Sequence, residues 1–422
     1  MTMYAKIKQN VITLVPPENG AAYQRLLGGR AYLHDQVPNG GGQHQQVNIM
    51  DVGQRLNELA ALVATNFTGR GELANAIALS LAIGEHLFVY GEPGTAKSSV
   101  LRLFAEGIGG NFWRIVMNPD LPRDEILGAL DPQALSQGQW LRKWAGLATA
   151  DVAFLDEIWK ASPQVVNILL DGLEERRVSS GGQDKHIPLL SAMSASNEIP
   201  SHDESNAAYD RFLIRVVAGY MTDMTDFRKM MTASAGAQPV TTTIQSDEIR
   251  LLAAASEFLA MNPPNEVMET LVSIRRHFNG AGISDRRWRK YLKAACGACL
   301  LRGSVSPLPI DLKVGQWILW SQVDERQDAV KAVFALCDPA AGEVLTLEKT
   351  LADLEGAIKE YKKETDTAKK NALFVTTTKN ASRLRIACQK LLDSGTAVDY
   401  DYRLQDIQAK AQDVVDAMGK IL

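Results

Sequence analysis

The sequence has 422 residues, of which 46% are hydrophobic and 22% charged, proportions that fit a globular chain of two or three domains with ordinary cores. Its net charge of −4 supplies no general basic field, which argues against nucleic acid as a default partner while leaving room for a local patch. No apolar run is long enough to span a bilayer, and the opening MTMYAKIKQNVITLVPPENG lacks the compact apolar stretch of a signal peptide, so the expectation is a cytoplasmic protein.

Residues 1–50 read as an extension that ends in the flexible, Gly/Gln-rich PNGGGQHQQ. From Asp51 the pattern changes: Leu56, Leu59 and Val63 recur at helical spacing, and NAIALSLAIG after Glu72 reads as a second, mostly buried helix. HLFVY then has the form of a covered parallel strand. Strand-like runs return at 112–117, 151–156, 188–196 and 212–219, with helical segments between them. That alternation predicts an α/β core over 51–245, a parallel sheet with helices on both faces.

An Ala- and Leu-rich helical region follows over 246–340. In 341–422 two heptad-like seams appear, Leu347, Leu351, Leu354, Ile358, Tyr361 and Leu404, Ile407, Ala411, Val414, Met418, Ile421, most simply an antiparallel helical pair. The cysteines are too few and scattered for a disulfide framework. Cys296-Gly-Ala-Cys299 has metal or redox spacing, but it lies in a helical run without a second pair or a nearby His, and is read as a small-residue packing face.

The chemistry begins directly after LFVY, at GEPGTAKSS. A phosphate-binding loop brings backbone N–H groups against phosphates, which favours small residues where chain and ligand nearly touch. Gly91, Glu92, Pro93, Gly94, Thr95, Ala96, Lys97, Ser98 and Ser99 match that loop except that Ala96 stands where the strict pattern has glycine. Lys97 would reach the β/γ-phosphates of a nucleotide and Ser98 would hold Mg²⁺. VAFLDEIWK places Asp156 and Glu157 at the carboxyl end of a buried strand, where open α/β sheets bind ligands. Asp156 suits contact with Mg²⁺ through water, and Glu157 suits polarising an attacking water. Asn197 closes the next apolar run and either orients that water, reads the γ-phosphate, or is a turn residue. Arg211 and Arg215 in YDRFLIR are candidates for stabilising charge on a transferred phosphoryl group, in cis or in trans.

GEPGTAKS, FLDEIWKASPQVVNILLDGLEERRV, SASNEIP, AAYDRFLIR and GISDRRWRK, in this order, resemble the MoxR branch of the AAA+ ATPases, most closely its RavA-type members, over roughly 54–303. A small residue before the lysine is usual in that branch. The resemblance implies an AAA+ P-loop core, a helical lid over 246–340 and a C-terminal helical hairpin module over 341–422. It further implies Asn197 as sensor 1, Arg211 as the arginine finger and Arg286 as the lid's sensor 2 arginine contacting nucleotide, with Arg215 and Arg287 as less clearly matched neighbours. LPRDEILGALDPQALSQGQW corresponds to the branch's helix 2 insert, and RRVSSGGQDKHIP, turning at Gly181-Gly182, to its hairpin before sensor 1. Both are expected to contact substrate.

These assignments imply an ATP- and Mg²⁺-dependent chaperone that remodels a protein client as a homo-oligomeric ring, most simply a hexamer, with a von Willebrand A-domain partner. A nucleic-acid ring motor is the alternative, suggested by the basic run Arg286, Arg287, Arg289, Lys290. The sizeable extra domain of RavA-type proteins has no room in the C-terminal segment, so functions tied to it, including decarboxylase binding, are not implied. Residues 1–50 have no recognised counterpart.

Overall fold

Parallel strands covered on both faces are buried along nearly their whole length, and four strands of one five-stranded sheet are of this kind. Its strands are β1 (Leu87–Tyr90), β2 (Phe112–Val116), β3 (Val152–Asp156), β4 (Ser191–Ser196) and β5 (Ile214–Val217), all parallel, in the order β5-β1-β4-β3-β2. In this computed structural model β4 is buried along its whole length and β1, β3 and β5 at all but their last residues, whereas β2, at the edge, alternates between partly buried and exposed. The structure describes residues 4–8, 11–15, 47–180, 182–199, 209–232, 238–241, 243–394 and 401–419. PNGGGQHQQ, Gly181 and Ile421 therefore lie outside the described residues. Within the N-terminal extension Tyr4–Lys8 pairs antiparallel with Val11–Val15.

The described chain forms two compact units: Met1–Met268 with Gly280–Asp324, and Glu269–Asn279 with Glu325–Leu422. In the first, helices α1 (Ile49–Asn66), α2 (Gly71–Ile83), α3 (Lys97–Glu106) and α4 (Pro163–Glu175) accompany the sheet. Asn48 caps α1 by accepting a hydrogen bond from the Met50 amide at 3.1 Å, and α2 ends on Gly84 in the left-handed region. One core cluster joins Phe88, Ala153, Leu155 and Ala192 of the sheet to Val165, Leu169 and Leu173 of α4. Helix α5 (Met224–Thr232) buries none of its residues.

Helix α6 (Ser246–Leu259), α7 (Asn265–His277) and α8 (Asp285–Leu301) follow. Gly297 of α8 meets α2 closely enough that a Cβ would sit 2.3 Å from Ile83 Cγ2, and a Cβ on Gly53 would sit 2.4 Å from the Leu300 carbonyl oxygen. The Cys296 and Cys299 thiols flank that contact; burial pushes them up to about 12 and about 11, so both stay protonated, as packing residues do. Glu85, at the foot of β1, is buried against Lys290 (2.6 Å) and Lys293 (3.8 Å) of α8.

The second unit contains α9 (Arg326–Cys337), α10 (Pro339–Lys363), α11 (Thr367–Ser394) and α12 (Asp401–Gly419). Both seams pack into one cluster, Leu351 and Leu354 with Leu404, Ile407, Ala411 and Val414, but Ala381, Leu384 and Cys388 of α11 join them. The expected antiparallel pair is thus corrected to a three-helix arrangement. Tyr361 and Phe374 meet with ring centroids 6.4 Å apart across the short link between α10 and α11, so α11 returns along α10, and the Arg403–Glu348 ion pair at 2.6 Å ties the first turn of α12 to the first half of α10. The seams by themselves carry no directional signal, since an a/d stripe packs in either sense.

Candidate nucleotide site

The register of the sheet assembles the site. Tyr90 of β1 pairs with Ser196 of β4, and Asp156 of β3 pairs with Ala195 of β4. One residue beyond these pairs, the Gly91 amide donates to the Ser196 carbonyl at 3.0 Å and the Glu157 amide donates to the Ala195 carbonyl at 2.8 Å. The end of β4 therefore holds the glycine loop on one side and the acid pair on the other, with Asn197 next in the chain. Adjacent strands lie about 4.8 Å apart, so three segments far apart in sequence converge at the carboxyl edge.

The loop's backbone explains its composition. A Cβ on Gly91 would lie 2.3 Å from the carbonyl oxygen of Ala218, the residue just past β5, so no side chain is admitted there, and Gly94 has φ +79°. Ala96, immediately before α3, has φ 63° and ψ 16°, the left-handed conformation for which the strict pattern supplies glycine. The loop thus keeps the geometry of the motif with alanine carrying the strain. Lys97 Nζ donates to the carbonyls of Gly91 (2.6 Å) and Glu92 (2.9 Å) and reaches Thr95 Oγ1 at 3.5 Å. Glu92, Pro93 and Gly94 are exposed, Thr95 is buried, Ser98 is partly buried and Ser99 exposed. Burial pulls the Lys97 ammonium below its ordinary value, opposed by the negative fields of Asp156 and Glu157. The loop lysine and the acid pair therefore share one electrostatic environment.

Glu157 is itself left-handed, φ 56° and ψ 45°, a strain that concentrates at functional positions. Its Oε2 is buried and receives no hydrogen bond, with Lys160 Nζ at 3.5 Å. Asn197 Oδ1 is likewise buried without a hydrogen-bond partner. Unsatisfied buried acceptors cost about 1–3 kcal/mol each, so two of them at neighbouring strand ends mark places that a ligand or water would complete. Asp156 receives a hydrogen bond from Arg114 of β2 at 3.1 Å. Sequence reasoning missed Arg114, because a cation in an alternating edge strand looks like ordinary surface.

The arginines divide into two bridges. Arg215 is buried, donating to the Trp320 carbonyl at 2.6 Å with its guanidinium 3.9 Å from the Tyr209 ring centroid. Asp210 lies 3.9 Å from Arg215 and is also ion-paired with buried Arg287. Arg211 and Arg286, one residue from these, instead meet on Glu174 of α4, Arg211 Nη2 at 2.9 Å from Oε2 and Arg286 Nη1 at 2.5 Å from Oε1. The structure thus brings Arg211 and Arg286 together and places Arg215 and Arg287 in structural anchors. Glu174 was not singled out from sequence; in LEERR it is one of several acids on a helix end.

The insert and the hairpin also join. Gln183–His186 pairs antiparallel with Arg177–Ser180, and Gly182 in the turn has φ +76°. Arg142, buried at the return of the insert, donates to Asp124 Oδ1 at 2.6 Å, to the Gly128 carbonyl and to Ser180 Oγ at 3.1 Å, while its amide donates to Gln183 Oε1 at 2.8 Å. Beyond this hub the insert exposes Leu135 and Trp140.

These residues fit a Mg²⁺-nucleotide. Among the described residues no cluster of three or more His, Cys, Asp or Glu could cage a metal alone, and Mg²⁺ characteristically takes one or two protein ligands with phosphates and waters. The donor set of Lys97, Ser98 and Asp156 beside two unsatisfied acceptors is of that kind.

Comparison with known proteins agrees with this geometry. Residues 54–254 match a family described as the MoxR domain in the MoxR-vWA-beta-propeller ternary systems. Two uncharacterized proteins of Methanocaldococcus jannaschii are similar, one 30% identical over 71% of this chain and 80% of its own length, the other 29% identical over 74% and 82%. The chaperone MoxR1 of Mycobacterium tuberculosis is 27% identical over 48% of this chain and 54% of its own. A crystal structure of a candidate ATPase from Cytophaga hutchinsonii shares the fold, with TM-score 0.53 and 17% identity over 68% of this chain and 94% of that one.

Proposed function

The chain belongs to the MoxR family of AAA+ ATPases, and from that premise we propose that it hydrolyses ATP to remodel a protein client. The observation that carries the proposal is the end of β4, whose last two carbonyls hold the Gly91 and Glu157 amides on either side of Asn197. The loop from Gly91 to Ser99 cradles the phosphates, with Lys97 exchanging its contacts to the Gly91 and Glu92 carbonyls for phosphate oxygens. Mg²⁺, held by Ser98 and by Asp156 through water, would supply neutralisation of phosphate charge. Glu157 Oε2, which receives no hydrogen bond, polarises the attacking water, and Asn197 Oδ1 accepts a hydrogen bond that orients it.

Arg211 and Arg286 complete the site of a neighbouring copy, which requires a homo-oligomer, most simply a hexameric ring. The domain assignment proposed is an extension over 1–50, an AAA+ core over 51–245, a lid over 246–340 and a helical module over 341–422. The helix 2 insert and the hairpin, joined through Arg142, contact the client. A von Willebrand A-domain protein is the companion that the matched family's description supports. No described helix is long and apolar enough to cross a membrane, and the cytoplasm is the compartment proposed. The nucleic-acid alternative loses ground because Arg287 is buried in its bridge to Asp210 and Lys290 is held on buried Glu85. RavA-type affinity within the family rests on the sequence motifs.

Replacing Glu157→Gln should leave ATP binding intact and lower turnover about 100-fold or more. Unchanged turnover in a steady-state phosphate-release assay would remove Glu157 from this role.

A further inference from the structure

We propose that Glu174 is a positioning residue that sets Arg211 and Arg286 as one two-cation unit for the neighbouring copy's phosphates; this rests on the reading of Arg211 as acting in trans. The argument starts from the pairing pattern. Asp210 and Arg211 are adjacent in the chain, and so are Arg286 and Arg287. One member of each couple enters the inner bridge, in which buried Arg215 and Arg287 meet on Asp210, and the other enters the outer bridge Arg211–Glu174–Arg286. The inner bridge anchors the two backbones, and the outer one sets their tips.

Two guanidiniums repel each other, and without a shared anion they would separate into solvent. Glu174 gives one oxygen to each, at 2.9 and 2.5 Å, which holds both cations within the width of one carboxylate. The three side chains come from different elements: Glu174 from α4, Arg211 from the segment before β5, and Arg286 from the first turn of α8. Helix α4 leads from the acid pair, after the short helical turn Ile158–Lys160, to Glu174 near its far end. Both arginines remain partly exposed, 25% for Arg211 and 44% for Arg286. A guanidinium has five N–H donors in a planar fork suited to phosphate, and a single carboxylate oxygen does not saturate Arg286.

The test uses full-length subunits and mixes inactive variants. Glu174→Ala should lower kcat about 100-fold, the cost of a misplaced catalytic group, while KM for ATP stays within about twofold because the glycine loop is untouched. Lys97→Ala should be inactive through its own loop yet present intact arginines. Mixed together, the two should regain turnover at least about tenfold above either alone, since a Glu174→Ala loop would then face a Lys97→Ala subunit's arginines. Glu174→Gln, which keeps one good acceptor, should fall between wild type and Glu174→Ala. Full activity of Glu174→Ala alone would overturn the proposal. So would failure of its mixture to recover while Arg211→Ala mixed with Lys97→Ala does recover, because Glu174 would then serve only its own fold. If the Arg211→Ala mixture also stays inactive, the trans reading fails and this inference falls with it.

Discussion

At Ala96 and Glu157 the backbone adopts φ values of 63° and 56° that L side chains rarely take. Left-handed backbone costs a non-glycine residue about 1–2 kcal/mol, and here the two costs fall at the two ends of one site. Ala96→Gly should therefore be neutral to stabilising by up to about 1 kcal/mol after the entropy of a freer unfolded chain is subtracted. Ala96→Val, β-branched at a positive φ, should destabilise by more than about 1 kcal/mol and weaken nucleotide binding. Urea unfolding midpoints with and without nucleotide check both. The residues themselves were legible because each candidate sits where an apolar run stops: Gly91 after LFVY, Asp156 and Glu157 after VAFL, Asn197 after SAMSAS. Their strain was not, because a φ angle is imposed by neighbours: Ala195 on Glu157, and for Ala96 a loop whose first glycine is pressed against Ala218.

Between elements, a buried polar seam joins the foot of β1 to α4 and α8. His86 Nδ1 accepts from the Ala192 amide at 2.9 Å, and Nε2 lies 3.0 Å from the Leu173 carbonyl and 2.8 Å from Arg176 Nη1. Burial, then the nearby Arg176 guanidinium, push His86 well below the ordinary imidazole range. Burial alone would raise the Glu85 carboxyl, but Lys290 and Lys293 hold it far below the usual carboxylate range. Both groups have depressed values in the folded state, so the unfolded chain binds more protons on acidification and stability is lost as pH falls. His86 acts from about pH 6.5 downward and Glu85 from about pH 4.5 downward. Half-buried His186, also lowered by burial, acts in the same direction. Unfolding free energy measured in urea should be level from pH 8 to 7. Below about 6.5 it should fall by about 1.4 kcal/mol per pH unit for each proton taken up, and His86→Gln should flatten the upper part of that slope. A stability that rose on going from pH 7 to 5 would contradict the assignment. None of this seam was read from HLFVY, where His86 and Glu85 looked like the polar border of a strand.

For the whole molecule, the two arginines proposed to complete a neighbouring copy's site lie on Glu174 within one chain, and on that proposal activity should depend on assembly. Turnover per subunit should rise with protein concentration and then level off, following the oligomer fraction seen by light scattering; a strictly constant specific activity down to the monomer would contradict action in trans. The parallel sheet, the helical region after it and the glycine loop could be read from local pattern, because hydrophobic period and the glycine, lysine and acid signals are properties of short segments. Strand order, the shared carboxylate of Glu174 and the insertion of α11 between the two seams came from the folded structure alone. Each joins residues that carry no mark of one another along the chain, and their meeting is set by how covered strands, buried charges and apolar stripes are satisfied together in space.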